Sequence, residues 1–140
     1  MCLTVDLKKT QRLQNSSKTE FVFYKVLNKE CRHFGQGCRL YSVYQNRRWQ
    51  PGINQSDISA AKLKQYKHDI ENIYGALINI FNGIHVYTTL AQAKAKATAH
   101  KVIVKVICRK DDLIAVGNRG DAVFTQVWLS KAEYIEKLHS

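Results

Sequence analysis

The stretch GIHVYTTLAQAKAKATAHKVIVKVIC, residues 83–108, decides the fold. Its opening, Ile84 to Thr88, is short, β-branched and aromatic, which predicts a strand. Thr89, with Gln92 three residues on, has the form of a capping box. The alanine-rich run Leu90 to Ala99 that follows predicts a helix, because alanine costs the least to order helically. Val102 to Cys108, VIVKVIC, is apolar except for Lys105 and predicts a buried, central strand. A strand, a helix and a strand within 26 residues leave little room for a purely helical or purely β chain.

Toward the C-terminus, Asp112 to Val116 predicts a short strand and Asn118 to Gly120 a turn. Ala122 to Leu129 alternates Val123, Thr125, Val127 and Leu129 against Ala122, Phe124, Gln126 and Trp128, which predicts one long strand. Ser130 and Glu133 form a second capping box, opening a helix to about Leu138. Toward the N-terminus, Phe21 to Leu27 and Leu40 to Tyr44 read as strands, and Pro51-Gly52 as a turn. Ser56 or Asp57 caps a helix beginning near Ile58. Ile70, Ile73, Tyr74, Leu77, Ile80 and Phe81 fall on one face of it, and Asn82-Gly83 stops it. Gly75 is a place where that helix could break. Cys2 to Leu7 alternates as an edge strand, and the polar run Lys8 to Thr19 reads as a mobile arm. The expected architecture is a single α+β domain spanning 1–140, with a mainly antiparallel sheet and two or three helices.

At 140 residues the chain can bury a real core. No apolar run approaches the roughly 20 residues of a membrane span, and MCLTVDLKK does not read as a secretory leader. The four cysteines, Cys2, Cys31, Cys38 and Cys108, are therefore expected as reduced thiols in the cytoplasm. Cys31, His33 and Cys38 lack the spacing of a zinc knuckle, so no metal is expected. Glycine-rich phosphate loops, HExxH and G-x-S-x-G are absent from the sequence.

Charge is the loudest feature. Lys and Arg number 22 against 11 Asp and Glu, a net charge of +11. That surplus fits a polyanion partner or an acidic protein. Residues 39–49 interleave cations and aromatics as Arg39, Tyr41, Tyr44, Arg47, Arg48 and Trp49. Guanidinium forks suit phosphates, and aromatic faces suit unpaired bases. Lys62, Lys64 and Lys67 follow, the last two on one helical face. The expected nucleic-acid-binding set is thus Arg39, Arg47, Arg48, Trp49, Lys62, Lys64 and Lys67. The same aromatics also read as packing residues of a strand pair.

Gly83 to Ala97, with the strand Val102 to Cys108, resembles a recurring core of the ADP-ribosyltransferase-like fold. Phe23-Tyr24-Lys25-Val26 is similar to its opening strand, and Gly120 to Phe124 to the strand that brings its acidic residue. The chain also looks like small uncharacterised domains of phages and mobile elements. The resemblance implies an NAD-binding transferase, or an inactive relative, with Tyr24 and Tyr87 lining the pocket and Asp121 as the acid. Turn preferences alone give Asp121 a plainer place, closing the turn after Gly120. The favoured expectation is a small cytoplasmic accessory protein, without cofactor, that docks on nucleic acid or a nucleoprotein. Such a protein could block a host defence machine by occlusion. A third reading is an inhibitor of an acidic host protein. None of the three involves a membrane.

Overall fold

One long strand, β2 (Glu20–Cys31), organises the sheet. The computed structural model describes residues 2–31, 37–42, 47–72 and 78–139. Along the chain follow β3 (Cys38–Ser42), β4 (Arg47–Arg48), β5 (Gly52–Gln55), β7 (Ile84–Tyr87), β8 (Lys101–Arg109), β9 (Leu113–Val116), β10 (Asp121–Phe124) and β11 (Gln126–Leu129). A separate two-stranded ribbon joins β1 (Leu3–Thr4) to β6 (Asn79–Ile80). The helices are α1 (Leu7–Gln14), α2 (Ala60–Asn72), α3 (Leu90–Lys96) and α4 (Lys131–Leu138). All pairings are antiparallel among the described residues. The α+β class with a mainly antiparallel sheet is as expected, with four helices rather than two or three.

One edge of β2 pairs with β8 from Glu20↔Arg109 to Asn28↔Lys101. Its other edge is shared by β7, at Tyr24↔Tyr87, and by β3, from Asn28 to Cys31. β7 pairs with β10, and β8 meets β11 at Trp128↔Ile107. The expected long strand over Ala122 to Leu129 is therefore two strands, with Thr125 alone between them. The Thr125 N–H donates to the Asp112 carbonyl (2.8 Å) and its carbonyl accepts the Ser56 N–H (2.9 Å), which fixes the corner. Because β10 bonds to β7 and β11 to β8, the covalent link at Thr125 completes a ring of strands, β2, β7, β10, β11, β8 and back to β2, while the hydrogen bonding itself runs as an open path from β5 to β9. Inside it lie Phe23, Leu27, Val86, Val104, Val106, Cys108, Phe124 and Leu129, joined by Leu40 and Trp49. A second apolar layer forms outside β9 and β10, where Ile114 and Val123 meet Leu3, Tyr66 and Ile80.

Several elements differ from the sequence expectation. The arm expected over Lys8 to Thr19 is largely α1, capped by Asp6, whose carboxylate accepts the Lys9 N–H (3.0 Å). Leu7 belongs to that helix and not to an edge strand. α2 starts at Ala60, with the Ser59 hydroxyl accepting the Lys62 N–H (3.1 Å), in place of a cap at Ser56 or Asp57. Within the described residues it ends at Asn72, and Ile80 sits in β6, because Leu3 of β1 pairs there. The single helical face from Ile70 to Phe81 does not exist as such: Ile80 is buried and Phe81 is exposed. Ile73, Tyr74, Gly75 and Leu77 lie outside the described residues, as does Tyr44. α3 stops at Lys96, three residues short of Ala99. Cys31 and Cys38 face each other across β2 and β3 and are joined by a disulfide, so this pair is not reduced as expected. Cys108 is a buried free thiol whose pKa burial pushes up. No helix among the described residues is long and apolar enough to cross a membrane.

α1 is held down by one buried hydroxyl. Thr10 Oγ1 donates to the Asp6 carbonyl (2.7 Å), lies 3.2 Å from the Val116 carbonyl and accepts the Val116 N–H (2.9 Å). Thr10→Val keeps the shape and removes these bonds, orphaning a buried N–H. It is expected to lower unfolding stability by about 1–3 kcal/mol. Thr10→Ser should recover most of that loss in urea titration.

Candidate functional site

In β2 the residues Phe23, Lys25 and Leu27 share one face, because side chains alternate along a strand. That face is the inside of the ring, so Lys25 points where its neighbours are apolar. It is 7% exposed, and its Nζ donates to the His85 carbonyl at 2.9 Å. No carboxylate pairs with it among the described residues. An ammonium has three N–H donors and is costly to bury without partners. Burial accordingly lowers the Lys25 pKa from 10.5 to about 8. At neutral pH the group still carries most of its charge.

The amine lines a cavity of about 230 Å³. Trp49 and Ile84 supply apolar wall, and Phe81, 66% exposed, stands at the rim. Ser42, opposite Arg47 in the β3–β4 pair, also lines it. The Arg47 guanidinium donates to the Gln55 carbonyl and to the Asp57 carboxylate, which neutralises the acid at the cavity. Asn54 is committed to the backbone. Its amide nitrogen donates to the carbonyls of Gln50 (2.9 Å) and Gly52 (3.3 Å), and its oxygen accepts the Gln50 N–H (3.2 Å). What remains is a donor-rich pocket with one uncompensated cation at its base.

His85 gives Lys25 its carbonyl, while strand alternation turns its ring away from the face of Ile84 and Val86. Burial first, and then the Lys25 charge, lower its pKa from 6.5 to about 4, against a weaker opposing pull from the backbone of Phe81 and Asn82. Neither ring nitrogen makes a well-formed hydrogen bond among the described residues. His85 is therefore a neutral imidazole at physiological pH.

The seven cationic and aromatic residues expected to meet nucleic acid do not form one free surface. Trp49 is 2% exposed and packs in the ring's core, so it offers no outward face for a base. Arg39 bonds Glu30 (2.8 Å) and lies over the Tyr41 ring, and Arg47 is held as described. Lys62 lies 5.0 Å from the centre of the Tyr66 ring. Arg48, Lys64 and Lys67 are exposed and make no ion pair among the described residues. The residues implied by the transferase resemblance do come together. Tyr24 faces Tyr87 across β2 and β7, and Tyr87 faces Asp121 across β7 and β10. Asp121 closes the turn at residues 118–120, its carbonyl accepting the Gly117 N–H (2.8 Å), and opens β10. It and Tyr87 are buried, and its Oδ1 has no hydrogen-bond partner among the described residues.

Lys25, Ser42 and Asp57 were not singled out by the sequence as binding residues. The one available signal was a lysine at an inward position of an otherwise apolar alternation. No family model, no curated protein and no solved structure matches the chain.

The buried charge makes stability depend on pH. Below about pH 8 the folded and unfolded chains both carry the Lys25 proton, and the folded one bears the full cost of burying it. Between about 8 and 10.5 the folded amine discharges first, so the unfolded state binds more protons and stability rises with pH. Lys25→Met should be more stable than the parent at pH 7 by about 1–3 kcal/mol, after allowance for the lost bond to His85. Urea unfolding of both proteins from pH 7 to 10 should show that gap shrinking above pH 8. A gap independent of pH would contradict a charged Lys25 in the cavity.

Proposed function

We propose that this protein is a binding module whose cavity takes the anionic head of a small ligand, a carboxylate or phosphate monoester, on the Lys25 ammonium. The observation that carries this reading is an amine inside the strand ring that lines an open cavity and has no counter-charge among the described residues. An incoming anion would supply that counter-charge through charge-assisted hydrogen bonds, which are stronger where water is excluded. Ser42 and the edge of Arg47 add donors, and Trp49 and Ile84 suit an apolar or aromatic body behind the head group. The ligand would raise the Lys25 pKa and stabilise the fold by mass action.

Benzoate and phenyl phosphate test it, with benzamide as the neutral control. Both acids should raise the melting temperature of the parent, benzamide should not, and Lys25→Met should abolish the rise. An equal rise in Lys25→Met, or equal binding of benzamide, would overturn the reading.

A second reading is docking on nucleic acid or a nucleoprotein, with occlusion of a host machine as its consequence. It is supported by Arg48, Lys64 and Lys67, exposed and without acidic partners among the described residues, on a chain of net charge +11. Affinity for a random oligonucleotide should fall steeply with salt, and Lys64→Glu with Lys67→Glu should flatten that dependence by about two counter-ions' worth. Salt-indifferent binding would contradict it. The ADP-ribosyltransferase-like reading draws support from the shared row of Tyr24, Tyr87 and Asp121. It ranks behind both, because Tyr87 and Asp121 are buried.

A further inference from the structure

Four apolar side chains stand in one row across four adjacent strands on the outside of the sheet. Register places Ile53 of β5 opposite Trp128 of β11, Trp128 opposite Ile107 of β8, and Ile107 opposite Val22 of β2. Directly opposed residues of antiparallel strands project to the same face. Three of the four are well exposed: Ile53 58%, Val22 56% and Trp128 45%. The exposed apolar area is on the order of a few hundred Å², the size at which a patch on a monomer is often functional. A row of large aliphatics around one tryptophan has the composition of an interface centre, since tryptophan leads the residues that dominate binding energy.

The border of the row is polar and its free charge is positive. Residues two positions away on a strand lie on the same face, so Lys105 and Arg109 flank Ile107 on either side of the row. Lys105 is exposed, and Arg109 is 3.6 Å from Glu20 in a solvent-exposed pair worth little. Gln55 and Gln126, bonded to each other at 3.2 Å, close one side of the border.

We infer that this row is the docking surface for an acidic amphipathic helix of a protein partner. Four strands at roughly 4.8 Å spacing make a row about 14 Å long. An α-helix rising 1.5 Å per residue covers that length with about three turns, setting apolar residues at i, i+4, i+7 and i+11 along it. Acidic residues on the two sides of that stripe would meet Lys105 and Arg109. A second copy of this chain fits worse. It would bring the same cations face to face on a molecule of net charge +11.

The site is independent of the Lys25 cavity, and its test separates the two. The probe is a synthetic helical peptide of about 16 residues with leucine at i, i+4, i+7 and i+11 and glutamate on the flanks, and a control with lysine for each glutamate. Trp128 reports binding directly, since Trp49 is already buried. The glutamate peptide should shift tryptophan emission to the blue, with affinity falling as salt rises. Ile53→Ser should weaken it at least tenfold, and Lys25→Met should leave it unchanged. Equal binding of the lysine peptide, unchanged affinity in Ile53→Ser, or a dimer lost in Ile53→Ser by sedimentation would each overturn the proposal.

Discussion

The structure depends on a corner at Thr125. β10 and β11 are consecutive, yet one belongs to the limb of β7 and the other to the limb of β8. A sheet with β2 at its centre would otherwise expose its apolar face along two open limbs. Passing the chain across at Thr125 turns the sheet onto itself, so Phe124, Val127 and Leu129 face Phe23, Leu27 and Val104 across one interior. The sheet keeps its edges: β5 and β9 end the hydrogen-bonded path, and β4 pairs only with β3. Where β8 runs past the end of β11, Glu133 of α4 accepts the Lys105 N–H (3.2 Å) and covers the exposed backbone.

That interior explains why the lysine at position 25 matters. The same alternation that buries Phe23 and Leu27 buries Lys25, and its single bond to the His85 carbonyl leaves the charge uncompensated. Neighbouring polar groups are engaged elsewhere: Arg47 with Asp57, Asn54 with the backbone of Gln50 and Gly52. Stability alone does not favour a charge at this position, because an apolar residue would satisfy the ring at lower cost. A ligand that supplies the opposite charge gives the lysine a reason to be there.

The order of the elements was largely legible in the sequence. The aromatic and β-branched composition of Phe21 to Leu27, the apolar run Val102 to Cys108, and the boxes at Thr89 and Ser130 mark segments whose local preferences agree with their final places. What local sequence hides depends on distant partners. α1 is polar on most sides and is held by the Thr10 hydroxyl on Val116, a contact 106 residues away in sequence. Ile80 looked helical and became a strand because Leu3 pairs with it. The break at Thr125 is invisible to a period-2 pattern that runs on through it. In the site, the cations look free in sequence, which does not show Glu30 beside Arg39 or Asp57 beside Arg47. Trp49 reads in sequence as a base-stacking or a packing aromatic, because nothing local distinguishes the two, and its place in the core answers to the packing one.

The corner follows the strands it joins, and that order has a bearing on biosynthesis. β11 pairs with β5, some seventy residues earlier, and β10 with β7, so both limbs must wait for residues 121–129 before they can meet. A nascent chain still short of Asp121 would carry Phe23, Val104 and Val106 on an unsealed half-sheet. Contacts this distant in sequence are slow to form and leave apolar surface uncovered meanwhile. Until residues 121–129 have left the ribosome, that half-sheet is open to aggregation and to chaperones.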